Sequence, residues 1–157
     1  MEAHIGIKQE HLNEVAKSLS QVLADEFILY TKTRNAHWNV EGKDFHEMHE
    51  FFEEQYEKLD EIIDAVAERI RMLGHYAPAT LTDYLRLTHL SETSREGNDG
   101  VGFINVLLQD HESIIKTLRA DITRFANELH DLGSSDFITG LMETHESMAW
   151  KLRAHLR

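Results

Sequence analysis

Hydrophobic residues recur every three or four positions along four long stretches of the chain, which is the spacing of amphipathic α-helices. Three of the stretches cover approximately residues 10–37, 44–73 and 100–129, and the fourth ends near residue 156. Polar and charged residues fill the intervening positions. The pattern therefore predicts an all-α chain with four long helices.

Glycines and a pair of serines mark where these helices are expected to end and begin. Gly42 interrupts the first hydrophobic pattern, Gly74 follows the second, and Gly133 follows the third. Ser134 or Ser135 is expected to cap the fourth helix, because a hydroxyl at that position accepts a hydrogen bond from a backbone N–H of the first turn.

The connection between the second and third helices, residues 80–98, is too long for a hairpin turn and carries a short helical pattern over residues 81–88. Two helical hairpins joined by one long crossover describe a ferritin-like four-helix bundle. No linker rich in Pro, Gly or Ser divides the chain, so residues 1–157 are expected to form a single domain.

Composition narrows the chemistry that such a bundle can perform. The chain has no cysteine, which excludes disulfides and thiolate metal sites. Any metal must be bound by His, Asp or Glu, a ligand set that suits iron, zinc or manganese. The sequence shows neither a signal peptide nor an apolar run long enough to span a membrane, so a cytoplasmic protein is expected.

The second helix carries two pairs of metal-ligand type at a spacing of four residues, His49 with Glu53 and Asp64 with Glu68. Side chains at this spacing lie on adjacent turns and can converge on one ion. The alternative is an ordinary solvated acidic face, because 28 of the 157 residues are Asp or Glu. Either pair taken alone favours that alternative.

Helix geometry indicates how the two pairs could form one site. His49 and Asp64 are fifteen residues apart, or roughly 22 Å along a straight helix, so they cannot bind the same ion within one chain. Two copies of the helix packed antiparallel about a two-fold axis would bring the pairs together. His37 could fold back across the turn at Gly42 and supply a second imidazole. No histidine has Glu three residues earlier, which argues against a di-iron site inside a single bundle.

Two segments resemble the signatures of the Dps family, the DNA-binding proteins from starved cells. The first is His-Trp-Asn-Val-Glu-Gly at residues 37–42, followed by Met48-His49 and Glu53. The second is Ile-Asp-Ala-Val-Ala-Glu-Arg at residues 63–69, followed by Leu-Gly at 73–74. The resemblance extends over nearly the whole chain.

The resemblance implies a hollow homo-dodecamer that oxidises Fe(II) with hydrogen peroxide and stores the ferric mineral, which protects against oxidative stress. His37, His49 and Glu53 of one subunit, with Asp64 and Glu68 of its two-fold mate, would be the catalytic iron ligands. Many family members carry Asp where this chain has Glu53, and the longer side chain is expected to alter occupancy of the second iron position. A shell of the same architecture that binds zinc or another divalent metal without iron turnover stays open.

Further residues are candidates by position in the family. Trp38 could intercept radicals or simply pack at an interface. His46 and His75 could lie just outside the metal ligands, and His75 could also be an additional ligand. Asp131 and Asp136 flank the turn before the fourth helix, where family members line a three-fold pore with acids. Asp136 could equally stabilise the helix N-terminus.

DNA compaction, which the family name suggests, is not expected for this chain. Members that bind DNA directly commonly use a mobile tail rich in Lys and Arg, but residues 1–14 contain only Lys8 against three glutamates. The formal net charge of −12 also opposes binding to phosphates.

Overall fold

Five α-helices make up the fold in the computed structural model, which describes residues 3–93 and 97–157. The helices are α1 (Gln9–Asn39), α2 (Phe45–Met72), α3 (Leu81–Leu87), α4 (Gly100–Asn127) and α5 (Leu132–Ala154). No β-strand occurs in those two ranges, so the prediction of an all-α chain is confirmed. None of the helices in the described part of the chain has both the length and the apolar composition that a membrane span needs.

Two antiparallel hairpins, α1 with α2 and α4 with α5, pack into a four-helix bundle. The backbone N–H of Glu41, just after α1, donates to the carbonyl oxygen of Asn98, just before α4, over 2.8 Å. The α1–α2 turn and the start of α4 therefore lie at the same end of the bundle. Because α2 ends at the opposite end, the crossover spans the length of its 28 residues, about 42 Å.

Helix α3, within this crossover, packs on α1. The ring of Tyr84 stacks on that of Phe27 with centroids 4.3 Å apart. The buried carboxylate of Asp25 accepts hydrogen bonds from the Thr88 hydroxyl at 2.7 Å and the His89 backbone N–H at 2.6 Å. These contacts hold the crossover against the outside of the bundle.

The core lies between the four long helices and consists of apolar side chains that recur along them, although Phe45 at the start of α2 follows the same pattern and is 46 % exposed. Burying each large apolar side chain contributes about 1.5–3 kcal/mol, which is why amphipathic helices associate along these faces. The largest fully buried side chains of the core are Phe52, Phe125, Leu12, Leu19, Leu23, Leu29, Leu59, Ile70, Leu73, Ile104, Leu107 and Leu118.

Gly74 ends α2 as the sequence predicts. Its φ of 88° is left-handed, a conformation that glycine adopts without steric penalty. The Gly74 N–H donates to the Arg71 carbonyl at 3.0 Å, and the His75 N–H donates to the Ile70 carbonyl at 3.3 Å. This pair of bonds is a Schellman motif, which satisfies carbonyls at the end of the helix.

The prediction for the α4–α5 turn is wrong in detail. Asp131, not a serine, caps α5: its carboxylate accepts from the Ser134 backbone N–H at 2.9 Å. Gly133 lies inside the first turn of α5 rather than ending α4, and the left-handed residue of the turn is His130, with φ 55°. A Cβ on Gly133 would lie 3.0 Å from Nη2 of Arg69, so glycine leaves room for that side chain.

Candidate metal centre

His37 and His49 form a stacked pair where α1 ends and α2 begins. Their ring centroids are 3.8 Å apart, and His37 is only 7 % exposed. His37 Nδ1 donates to the backbone carbonyl of His49 over 2.8 Å, and His49 Nδ1 donates to the carbonyl of His37 over the same distance. A carbonyl oxygen only accepts, so each Nδ1 carries the ring proton. In the neutral rings both Nε2 atoms then keep a lone pair that can bind a metal.

The short turn between α1 and α2 produces this reciprocal pairing. Gly42 has φ 136°, which lets the chain reverse within a few residues. The turn is also tied to the start of α4 through the Glu41–Asn98 hydrogen bond. Each imidazole therefore sits on the rigid end of a long helix, as a preorganised ligand requires.

Glu53 lies one helical turn after His49 and is held by Tyr56. The Tyr56 hydroxyl donates to Glu53 Oε1 over 2.9 Å, and the tyrosine ring meets His37 edge-on with centroids 5.2 Å apart. Burial raises the pKa of the Tyr56 phenol, and its hydrogen bond to the Glu53 carboxylate raises it further. The phenol therefore stays a proton donor that orients the carboxylate. Sequence reasoning missed Tyr56, although its spacing of three residues from Glu53 was a visible signal.

Arg34 contacts two aromatic rings at the same end of the bundle. Its guanidinium carbon is 4.3 Å from the ring centroid of Tyr56 and 4.9 Å from that of Trp38. Both distances are those of cation–π contacts. Trp38 is nevertheless 64 % exposed, so its indole is available for contact with another molecule.

Asp64 and Glu68 lie farther along the same helix and are exposed to solvent. Because α2 is one continuous helix over Phe45–Met72, the separation of roughly 22 Å between His49 and Asp64 is retained. No group of three or more His, Asp or Glu side chains in the described ranges of one chain could hold a metal ion.

The other predicted residues occupy varied environments. His46 is exposed, and its Nε2 is 3.5 Å from the Glu50 carboxylate. His75 Nε2 is buried without a hydrogen-bond partner among the described residues. Asp131 is 2 % exposed and its carboxylate caps α5, whereas Asp136 is exposed and lies just after the first turn of that helix. That His46 and His75 lie beside the metal ligands, and that Asp131 and Asp136 line a pore, stays a prediction.

Known proteins similar to this chain form a consistent group. The family model of the ferritin-like domain matches residues 16–157. A low-temperature-induced protein of Nostoc is 42 % identical over 98 % of this chain and 86 % of its own length. DNA protection during starvation protein 2 of Bacillus anthracis is 34 % identical over 91 % of this chain and 97 % of its own.

Solved structures give the same result. The Dps protein of Vibrio cholerae, described as a member of a broad superfamily of ferritin-like diiron-carboxylate proteins, superposes with a TM-score of 0.92 at 31 % identity, covering 99 % of this chain and 97 % of the other. DpsC of Streptomyces coelicolor gives a TM-score of 0.95 at 25 % identity, covering 100 % and 91 %. With the ferritin-like bundle and these relatives established, the chain belongs to the Dps family of ferritin-like proteins.

Proposed function

We propose that the protein oxidises Fe(II) at sites shared between two-fold-related subunits and stores the ferric product inside a hollow dodecamer. The observation that carries this proposal is the His37–His49 pair. Each Nδ1 proton is committed to a backbone carbonyl, so both Nε2 atoms are prepared as neutral metal ligands. Histidines on a solvated surface would not need such reciprocal hydrogen bonds to fix the orientation of their rings.

The remaining ligands are assigned to both subunits. Glu53 joins the two imidazoles on one chain, while Asp64 and Glu68 come from the two-fold mate. The length of α2 supports this division, because the two groups are too far apart on one straight helix but would meet if two copies packed antiparallel. Each two-fold contact then makes two sites.

The ligand set suits iron oxidation. Imidazoles and carboxylates bind Fe(II) and leave positions for an oxidant, and oxygen ligands favour the Fe(III) product. Hydrogen peroxide accepts two electrons, one from each of two Fe(II) ions, and with two protons its O–O bond breaks to give two waters. Delivering both electrons at one site avoids release of hydroxyl radical. The chain's net charge of −12 favours attraction of Fe²⁺ to the particle.

Stopped-flow measurement of ferric absorbance after mixing apo-protein with Fe(II) and peroxide tests this assignment. His49→Ala should slow the initial oxidation by at least roughly ten-fold, because even the outer partners of metal ligands typically contribute that much. His4→Ala is the control, since it removes an exposed imidazole that precedes α1, at the opposite end of that helix from His37. An unchanged initial rate in His49→Ala would refute the site.

The carboxylates that the two-fold mate would contribute to the site are tested with the same assay. Asp64→Ala should slow oxidation comparably, while Asp60→Ala, which removes an exposed acid one turn earlier on α2, should leave the rate unchanged. Equal losses from both substitutions would indicate a general effect of surface charge and not a ligand at position 64.

A further inference from the structure

Three ionisable side chains from three different helices meet inside the bundle core. Glu26 of α1 and His145 of α5 are 0 % exposed, and His111 of α4 is 1 % exposed. His145 Nε2 lies 2.8 Å from Glu26 Oε1, and His145 Nδ1 lies 2.9 Å from His111 Nδ1. This buried network is about 16 Å along α1 from the candidate ligand His37, so the proposed iron chemistry does not use it.

The contacts limit where protons can be. While Glu26 is ionised its carboxylate only accepts, so His145 Nε2 carries the proton of this contact and donates it to Glu26. A hydrogen bond between the two Nδ1 atoms requires a proton on one of them, and protons on both would repel each other. If His111 provides that proton, the network has a net charge of −1. If His145 carries it as an imidazolium, the network is neutral.

Burial favours the neutral arrangement. A negative charge enclosed by apolar side chains is costly unless a cation lies beside it. A proton placed on Glu26 Oε2 would become a buried donor without an acceptor, because that atom has no hydrogen-bond partner among the described residues. A proton on His145 has an acceptor at each ring nitrogen, Glu26 Oε1 on one side and His111 Nδ1 on the other.

We propose that the Glu26–His145–His111 network takes up one proton on folding, holds it on the imidazole pair, and thereby makes the cohesion of α1, α4 and α5 sensitive to pH. The network tolerates one proton in the Nδ1–Nδ1 contact. Loss of the imidazolium charge leaves Glu26 as an uncompensated buried anion. Addition of a second proton sets two N–H groups against each other.

Within residues 3–93 and 97–157, few other charged groups face this network. Helix α2 turns only apolar side chains and Gln55 into the core, and the buried titratable residue of α3 is Tyr84. The remaining neighbours are already engaged: Asp25 accepts from Thr88 and His89, and Asp110 forms an ion pair with Lys32. The charge of the network is therefore balanced within the network.

The direction of each pH effect follows from proton counting. Above neutrality the unfolded chain binds fewer protons at these groups than the folded one, so stability falls as pH rises. On the acid side, burial and the neighbouring His145 lower the pKa of His111 well below its usual value. Below the ordinary histidine range His111 binds a proton in the unfolded chain but not in the folded core. Stability therefore also falls as the pH decreases below that range.

Glu26→Gln is the most direct perturbation, because it keeps the shape and an acceptor oxygen but removes the charge that retains the proton. Hydrogen exchange of the α5 amides around His145 is measured in the assembled wild-type and variant particles at the same pH, so that the intrinsic pH dependence of exchange cancels. Wild-type protection relative to the variant should fall by up to roughly ten-fold per pH unit above neutrality. A ratio that does not change with pH overturns the proposal.

Two additions keep the test independent of how well the variant folds. Glu112→Gln is the matched control: it makes the same change on the surface of α4, where Glu112 pairs with Arg153, and should leave the ratio constant with pH. In wild-type protein, ¹⁵N spectra of His111 and His145 at neutral pH should show N–H protons on three of the four ring nitrogens. Two protonated nitrogens would overturn the proposal without bearing on the iron sites.

Discussion

Replacing Tyr56 with Phe isolates one hydrogen bond at the candidate metal centre. The substitution keeps the ring that packs against His37 and beneath Arg34, and deletes only the hydroxyl that donates to Glu53. Outer partners of metal ligands typically contribute ten- to hundred-fold in affinity. Because Glu53 and Tyr56 are both partly exposed, the loss of metal affinity should lie near the lower limit of that range, about ten-fold or 1.4 kcal/mol.

The assay is a titration of the apo-particle with a divalent ion that does not turn over, such as Zn(II), followed by anaerobic Fe(II). The raised pKa of the Tyr56 phenol keeps it protonated, so the difference from wild type should be constant from about pH 6 to about pH 9. Tyr76→Phe is the matched control, because Tyr76 is exposed and stacks on Arg71, away from the His37–His49 pair of the same chain. Wild-type affinity in Tyr56→Phe would refute the view that this phenol orients a ligand.

Three other outcomes are expected. Asp131→Ala should lower the free energy of unfolding by about 1–3 kcal/mol, measured in denaturant, because it removes the α5 cap and leaves the partly buried Arg69 without its carboxylate. Asp136→Asn should slow mineralisation under limiting Fe(II) while single-turnover oxidation is unchanged, if Asp136 lines a pore; equal rates would remove it from the pore. Gel-shift assays at physiological salt should show no DNA complex, and a tight, salt-sensitive complex would contradict the charge argument.

Much of the fold could be predicted because burial in a helical bundle imposes a simple period. The pattern of apolar residues predicted α2 over residues 44–73, and the helix covers Phe45–Met72. The turn before α5 was harder, since Ser134, Ser135 and Asp131 are all residue types that cap helices. The backbone distinguishes them: the left-handed His130 precedes Asp131, whose carboxylate then accepts from the Ser134 N–H, and residue type alone does not report that turn.

The candidate site was predictable where its residues are close in sequence, and less so elsewhere. His49 and Glu53 share one helix face, so spacing was enough to select them. The orientation of the His37 and His49 rings depends on two backbone carbonyls, which no residue pattern reports. His111 and His145 carried no spacing signal, because their partner Glu26 lies more than eighty positions earlier and meets them only when three helices pack.

Complementation between two inactive chains tests the central claim most directly. In a two-fold pair of one His49→Ala chain and one Asp64→Ala chain, one site lacks both ligands and the other retains the full set. Co-expressed chains that pair at random should therefore recover roughly a quarter of the wild-type sites, whereas each variant alone stays near background. A mixed particle as inactive as its parents would contradict ligands shared between subunits, and with it the proposed mechanism.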